Sequence, residues 1–216
     1  MRILTMFAIG VLVLAGGTSA NGATVWNFAG TDGSLGASSD AVLSGGYTLT
    51  AYGYSTANTP YTPYTLYTKN DGGDEHGLGF NATNDHEITL ISNGTTVADF
   101  IQVNVGPIET AFTGAFISAG SVTSPEKWDI YGSTTLGSIG VDLLSGNTVD
   151  QTFVPLPGWG SYQYYSIAVT PDANSPSDNV LLSEIEVTTP TPEPATLSLV
   201  GLGLGGLLLR RRRAGK

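Results

Sequence analysis

The sequence contains no cysteine among its 216 residues, so disulfide bonds, cysteine-ligated zinc and thiol catalysis are all excluded. It is also poor in basic residues: Lys and Arg together number 8, and six of these lie at the two chain ends. Charged residues make up only 12% of the chain, whereas hydrophobic residues make up 41%. These proportions argue against a disordered polyelectrolyte and indicate one or two folded domains.

The middle of the chain has very little positive charge. Between residues 21 and 190 the basic residues are Lys69 and Lys127, against 17 acidic residues, which gives a formal charge of −15. Such a surface repels DNA, RNA and anionic lipid, so no nucleic-acid partner is expected. The same surface favours solubility and attracts divalent cations.

The first 20 residues have the features of a secretory signal peptide. One positive charge precedes an apolar run from Ile3 to Ala15, and small residues follow, with Thr18 and Ala20 where signal peptidase requires small side chains. We expect cleavage after Ala20, with Ala23 as an alternative site. The other interpretation is a retained anchor helix, for which the run is short.

The C-terminal end combines an apolar stretch with a basic cluster. Ala195–Leu209 is uncharged over 15 residues. As a helix it is about 22 Å long, against a hydrocarbon core of about 30 Å, and arginine side chains that reach the headgroups extend the span. Four consecutive arginines resist translocation, so a membrane helix over 195–209 is predicted, with its basic end in the cytoplasm.

Pro192, Glu193 and Pro194 stand just before this stretch and favour an extended, protease-accessible backbone. The order of Pro-Glu-Pro, short apolar helix and basic cluster over residues 191–213 resembles the PEP-CTERM sorting signal of Gram-negative bacteria. The resemblance implies that an inner-membrane exosortase recognises the tail and that processing releases the protein to the cell surface or beyond, where such proteins often accompany exopolysaccharide. The implied recognition residues are Pro192, Glu193, Pro194, Arg210, Arg211, Arg212 and Arg213. The alternative is an ordinary tail anchor.

Residues 21–190 have the pattern of an antiparallel β-sandwich, between the signal peptide (1–20) and the sorting tail (191–216). Short runs alternate with period two, as in DFIQVNV at 99–105 and in VLLSEIEV at 180–187, where Ile185 and Val187 face opposite to Glu184 and Glu186. Turns rich in Gly, Asn and Asp separate these runs. Many short strands joined in this way are typical of an all-β sandwich.

The second half suggests a particular kind of sandwich. A strand carrying Trp128, a Tyr-Gly-Ser turn, a tyrosine-rich strand and a last strand ending in Glu-Ile-Glu-Val follow each other over residues 124–188. This order resembles the C-terminal half of galactose-binding-like, discoidin-type jelly rolls. The resemblance implies a jelly roll, often with a structural calcium ion near the join of the first and last strands, for which Glu184 or Glu186 is a candidate ligand.

Acidic loops are the second basis for a calcium prediction. Asp71, Asp74 and Glu75 crowd one glycine-rich loop, and calcium takes six to eight oxygen ligands that such loops supply. The loop does not follow the EF-hand pattern, because Gly73 stands where the third ligand belongs. The alternative is a solvated turn without metal.

Aromatic residues in extended segments are the candidate ligand-binding residues. Tyr61, Tyr64 and Tyr67 recur every third residue with prolines interleaved, and Trp159 lies in the segment PLPGWGSY. Aromatic rings stack on sugar rings, and tyrosine adds a polar hydroxyl, so these residues predict a glycan-binding loop. The alternative is that the rings pack in the core or on strand surfaces.

No nucleophile motif marks an enzyme: G-x-S-x-G is absent, and the two histidines limit the available general bases. The sequence therefore predicts a non-enzymatic exported protein that binds glycan or serves as a structural component of an exopolysaccharide matrix or biofilm. The alternative is a secreted carbohydrate-active hydrolase, since two carboxylates suffice for that chemistry.

Overall fold

The computed structural model describes residues 23–56, 60–83, 85–89, 99–170 and 178–188. These residues are almost entirely β, which confirms the predicted all-β class. The elements in chain order are β1 (Thr24–Asn27), β2 (Gly33–Ser34), β3 (Ser39–Ser44), β4 (Tyr47–Ser55), β5 (Thr62–Pro63), β6 (Leu66–Gly72), β7 (Glu75–Phe80), β8 (Ile88–Thr89), β9 (Phe100–Asn104), α1 (Gly106–Glu109), β10 (Ala115–Gly120), β11 (Trp128–Ser133), β12 (Val141–Asn147), β13 (Val154–Pro155), β14 (Tyr164–Val169) and β15 (Asn179–Val187).

The strands of the described ranges form two antiparallel sheets. The first, named here the β15 sheet, has the order β13-β10-β15-β7-β6-β2, with β1 and β8 also paired to β15. The second, the β9 sheet, has the order β12-β11-β14-β9-β4-β3, with β5 paired to β4. The two sheets pack as a sandwich, which confirms the predicted fold class and is compatible with a jelly roll.

Strand alternation decides which side chains reach the core. In β15, Ile185 and Val187 are buried whereas Glu184 and Glu186 are partly exposed, as the period-two pattern predicts. The inner faces of both sheets meet in an apolar core. Its largest fully buried side chains include Trp26, Trp128, Tyr165, Phe28 and Phe80.

Gly53 in β4 lies where the two sheets approach closely. A Cβ atom at this position would lie 2.6 Å from the carbonyl oxygen of Tyr64 and 2.7 Å from the ring of Phe80. These distances are shorter than van der Waals contact, so only glycine fits here. Because Gly53 faces the other sheet, its neighbours Tyr52 and Tyr54 lie on the outer face of the β9 sheet.

The predicted signal peptide and the predicted tail helix at 195–209 lie outside the described residues. Among the residues that are described, no helix is long and apolar enough to cross a membrane. Residue contacts group Gly22–Pro190 into one compact unit.

Candidate ligand-binding surface

Three neighbouring strands of the β9 sheet, β4, β9 and β14, carry no charged residue. Directly opposed residues of an antiparallel pair share a face, and Ala51 and Gly53 of β4 face the core. The alternate positions therefore form rows across the outer face of the sheet. These rows are Thr50–Asn104–Tyr164, Tyr52–Gln102–Ser166 and Tyr54–Phe100–Ala168.

Residues 134–140, which connect β11 to β12, cover one half of this outer face. The amide nitrogen of Gln102 donates to the carbonyl oxygen of Ser138 at 2.8 Å, and the amide oxygen accepts the N–H of Gly137 at 2.8 Å. Gly137 also lies against the ring of Tyr54, which stacks on Phe100 with a centroid separation of 5.2 Å. Gln102 is therefore fully buried, with both ends of its amide satisfied.

The other half of the face remains accessible. Thr50, Tyr52, Asn104 and Tyr164, together named the neutral patch, are each partly exposed. The amide oxygen of Asn104 accepts the backbone N–H of Gly106 at 3.0 Å, which orients this side chain. The NH₂ group is the donor end of the same amide.

The patch contains no Asp, Glu, Lys, Arg or His residue, and two tyrosines beside it are neutral. Burial, and then the neighbouring Tyr52 and Tyr164, raise the pKa of Tyr54 above its ordinary value, so this phenol keeps its proton. On the flanking strand β11, burial and then Asp129 raise the pKa of Tyr131 in the same way. Phenol rings, an amide and a hydroxyl thus offer stacking planes and hydrogen bonds without charge, which suits an uncharged polar ligand.

The three tyrosines singled out in the sequence contact three different aromatic partners. Tyr61 packs edge-on against Phe100 at a centroid distance of 5.4 Å, and Tyr64 packs against Phe80 at 4.9 Å. Tyr67 stacks on His86 at 3.8 Å. The structure therefore does not bring these rings together into one binding surface, although all three are partly exposed.

Trp159 belongs to a separate aromatic group. Its ring is stacked parallel to Tyr165 at 6.3 Å, and its indole N–H donates to the carbonyl oxygen of Phe112 at 3.1 Å. The four predicted ligand-binding aromatics thus all make packing contacts, which agrees with the alternative that these rings pack in the core or on strand surfaces. A ligand role for them stays a prediction.

The acidic loop of the sequence is the hairpin between β6 and β7. Asp71 lies at the end of β6, Asp74 in the turn, and both are exposed. Glu75 begins β7 and pairs with the ammonium group of Lys69 at 2.9 Å. One predicted calcium ligand therefore already has a cationic partner from the protein.

Lys69 is the centre of this charged cluster. It is only 3% exposed, and its Nζ lies 2.7 Å from Oε1 of the buried Glu87 and 3.2 Å from Oδ1 of Asp85. Burial disfavours the ammonium, but the hydrogen bonds to Glu87 and Glu75 outweigh it, so the pKa of Lys69 is raised. The hydroxyl of Ser121 donates to the same oxygen of Glu87 at 2.7 Å.

The other predicted calcium ligands, Glu184 and Glu186, lie on β15, opposite Asn27 and Val25 of β1. Oε1 of Glu184 accepts a hydrogen bond from the amide of Asn27 at 2.9 Å. Within the part of the chain that is described, no group of three or more His, Asp or Glu side chains is arranged to hold a metal ion. Structural calcium remains a prediction for this protein.

The neutral patch does not stand out in the sequence. Tyr52 is one of a series of tyrosines, and Asn104 and Tyr164 lie in runs whose alternation predicts strands but not neighbours. The signal that does exist is the lack of charge over 47–55, 100–104 and 164–169 in an acidic domain. The strand register is needed to show that these three segments are neighbours and form one surface.

The predicted sorting residues, Pro192 to Pro194 and Arg210 to Arg213, lie outside the described residues. A family model described as the PEP-CTERM protein-sorting motif matches residues 190–213. This match confirms the resemblance, and with it an exported protein that exosortase processes and that is sorted to the surface or exterior of a Gram-negative cell. No curated protein and no solved structure matches the chain significantly.

Proposed function

We propose that residues 21–190 form a non-catalytic carbohydrate-binding module that acts at the cell surface or in an exopolysaccharide matrix. The observation that carries this proposal is the neutral patch, where Tyr52 and Tyr164 are partly exposed on a part of the sheet whose three strands carry no charged residue. Partly exposed tyrosines on a regular strand surface offer flat rings with polar ends, which is the chemistry that sugars require.

The sorting motif supports the same proposal from a different direction. Exosortase-dependent sorting brings the domain to the outside of the cell, where extended polysaccharides are the expected polymers. The domain's acidity keeps it away from nucleic acid and anionic lipid surfaces. A polysaccharide ligand agrees with both properties.

The positions of the carboxylates favour binding over hydrolysis. Glycoside hydrolysis requires two carboxyl groups that flank the scissile bond, and the neutral patch contains none. Two of the buried carboxylates have structural partners: Glu87 binds Lys69, and Asp129 accepts the N–H of Gly146 at 2.8 Å together with the hydroxyl of Thr170. We therefore expect retention of glycan without turnover.

A glycan array probed with the full chain in mild detergent tests this function. Binding to one or more glycans is the expected result, and a reducing-sugar assay on each ligand is expected to stay at background. An array without any binding would favour a purely structural matrix component, whereas release of reducing ends would establish the hydrolase alternative.

A further inference from the structure

We infer that the neutral patch is the carbohydrate site and that its ligand is an uncharged polysaccharide lying across β4, β9 and β14, in contact with both Tyr52 and Tyr164. This inference rests on the proposed function and extends it by naming the site and the chemical class of ligand.

The two rings are too far apart for a single small sugar. Neighbouring strands lie about 4.8 Å apart, so β4 and β14, with β9 between them, are separated by about 10 Å. Tyr52 and Tyr164 also belong to adjacent rows of the face, since Tyr52 pairs with Gln102 whereas Tyr164 pairs with Asn104. A ligand that contacts both rings must therefore extend over more than one sugar unit and pass over Asn104.

The patch is covered on one side and accessible on the side of β3. Residues 134–140 are held over the neighbouring half of the face by the hydrogen bonds of Gln102 and form a wall on that side. On β3, Ser39 lies opposite Tyr52 and Ala41 opposite Thr50, and both are exposed and uncharged. An extended chain can continue over β3 without meeting a charged group at these positions.

The charge distribution selects a neutral polymer. Residues 21–190 carry 17 acidic side chains, yet none lies on the three strands that form the patch. These strands also lack Lys and Arg, so a uronic acid or a sulfate group would find no cation there. An acidic polymer would instead be repelled by the surrounding domain.

The experiment is affinity electrophoresis of the full chain in mild detergent. Native gels contain galactomannan or mixed-linkage β-glucan as neutral probes and alginate as the acidic probe. We expect retardation by a neutral probe and none by alginate. Tyr52→Thr and Tyr164→Thr are each expected to weaken retention about three- to tenfold, because each removes one stacking surface while keeping a strand-forming residue.

Asn104→Asp gives an independent variant. It keeps the oxygen that accepts the N–H of Gly106 but replaces the amide donor with a charge, and we expect about tenfold weaker retention. Phe116→Thr on β10 of the β15 sheet removes a partly exposed ring outside the neutral patch; it is the matched control and is expected to retain wild-type binding. Melting temperatures and near-ultraviolet circular dichroism verify the fold of every variant.

The outcomes separate the site from the function. If a neutral probe retards wild type but the tyrosine and Asn104 variants bind equally well, or if alginate alone retards wild type, this inference is overturned while the proposed function stands. No retardation in any gel together with a blank glycan array overturns both. If the tyrosine variants do not fold, Thr50→Glu places a charge in the patch without removing a ring, and unchanged retention by that variant also overturns the inference.

Discussion

The outer face of the β15 sheet carries charged residues, whereas the part of the β9 sheet formed by β4, β9 and β14 carries none. On the β15 sheet, Lys69 and Glu75 form part of an ion cluster, and Glu184 and Glu186 are partly exposed residues of β15. On the β9 sheet, the three strands that form the neutral patch have no ionisable groups except tyrosine. Both faces belong to one sandwich and are covered in part by loops.

This difference shows that the domain's acidity is not spread evenly. On the β15 face, charged groups stabilise the fold. The cluster around Lys69 joins β6, β7 and the segment 85–87 through charge-assisted hydrogen bonds. The patch on the β9 face has polar groups that are not committed to such a cluster. A solvated acidic surface is sufficient for solubility, and the proposed ligand site lies on the part of the surface that has no charge.

The strongest test of this comparison is the removal of Lys69. Lys69→Met leaves Glu87 buried without its cation, so we expect a loss of about 3–5 kcal/mol in the free energy of unfolding. Urea unfolding of the full chain, followed by tryptophan fluorescence, measures it. Glycan retention per folded molecule should stay unchanged, because Lys69 lies on the opposite sheet.

The double variant Lys69→Met, Glu87→Met is the matched control. Replacing a whole buried ion pair by apolar side chains is often close to neutral, so the second substitution should recover much of the loss. A single variant that loses less than about 1 kcal/mol would mean that the cluster contributes little to cohesion.

The calcium prediction concerns the β15 sheet, because its candidate ligands lie on the strands of that sheet or in the turn between β6 and β7. If Asp71, Asp74, Glu184 or Glu186 holds Ca²⁺, an ion present at 100 times its Kd adds about 2.7 kcal/mol of stability. We therefore expect EDTA to lower the melting temperature of the full chain, and Glu184→Gln to reduce that shift while keeping an oxygen acceptor for Asn27. A melting temperature that EDTA leaves unchanged would count against bound calcium.

On the β9 face, Gln102 is the residue that separates the covered half from the open half. Gln102→Leu leaves the N–H of Gly137 and the carbonyl of Ser138 without their partner, so we expect a loss of about 1–3 kcal/mol. Hydrogen exchange at Gly137 should accelerate more than exchange in β15. Ser166→Ala removes only a bond of 3.3 Å and is the milder control; a larger loss in that control would contradict the role of Gln102.

The parts of the molecule that were predictable from the sequence depend on local pattern. The alternation of Ile185 and Val187 with Glu184 and Glu186 gives strand β15 its faces, and the sorting motif is contiguous. The neutral patch depends instead on register: Tyr52 and Tyr164 are more than a hundred residues apart in sequence and share one face only because β9 pairs with both their strands.

Burial is the other property that local pattern does not give. The sequence around Glu75 indicates a cation site, and an ammonium group from Lys69 binds there, but nothing local shows that Lys69 is buried. Likewise, the alternation in β9 places Gln102 and Ile101 on opposite faces of the sheet, but it does not reveal the loop that covers Gln102. When a residue's neighbours come from distant strands or loops, the fold must be known before a role can be assigned to it.

The smallest expected change in stability concerns Glu109, a carboxylate that differs from Glu87 in its hydrogen bonding. Glu87 is held by Lys69, whereas Oε1 of Glu109, at the end of α1, is buried without a hydrogen-bond partner among the described residues. Burial raises the pKa of Glu109, so the folded protein holds this proton more tightly than the unfolded chain. Wild type therefore gains stability from this group as pH falls and loses it as pH rises through the raised pKa.

Glu109→Gln removes the titration but keeps the shape, so the variant should melt higher than wild type at pH 7, by no more than about 2 °C. The difference should shrink as pH falls toward the ordinary glutamate value of 4.5, because wild type is then protonated too. Thermal scans between pH 4 and pH 8 measure both effects, with Glu186→Gln on β15 as the control for net charge. An advantage that does not change with pH would mean that the buried oxygen of Glu109 is not what limits stability at this end of the β9 sheet.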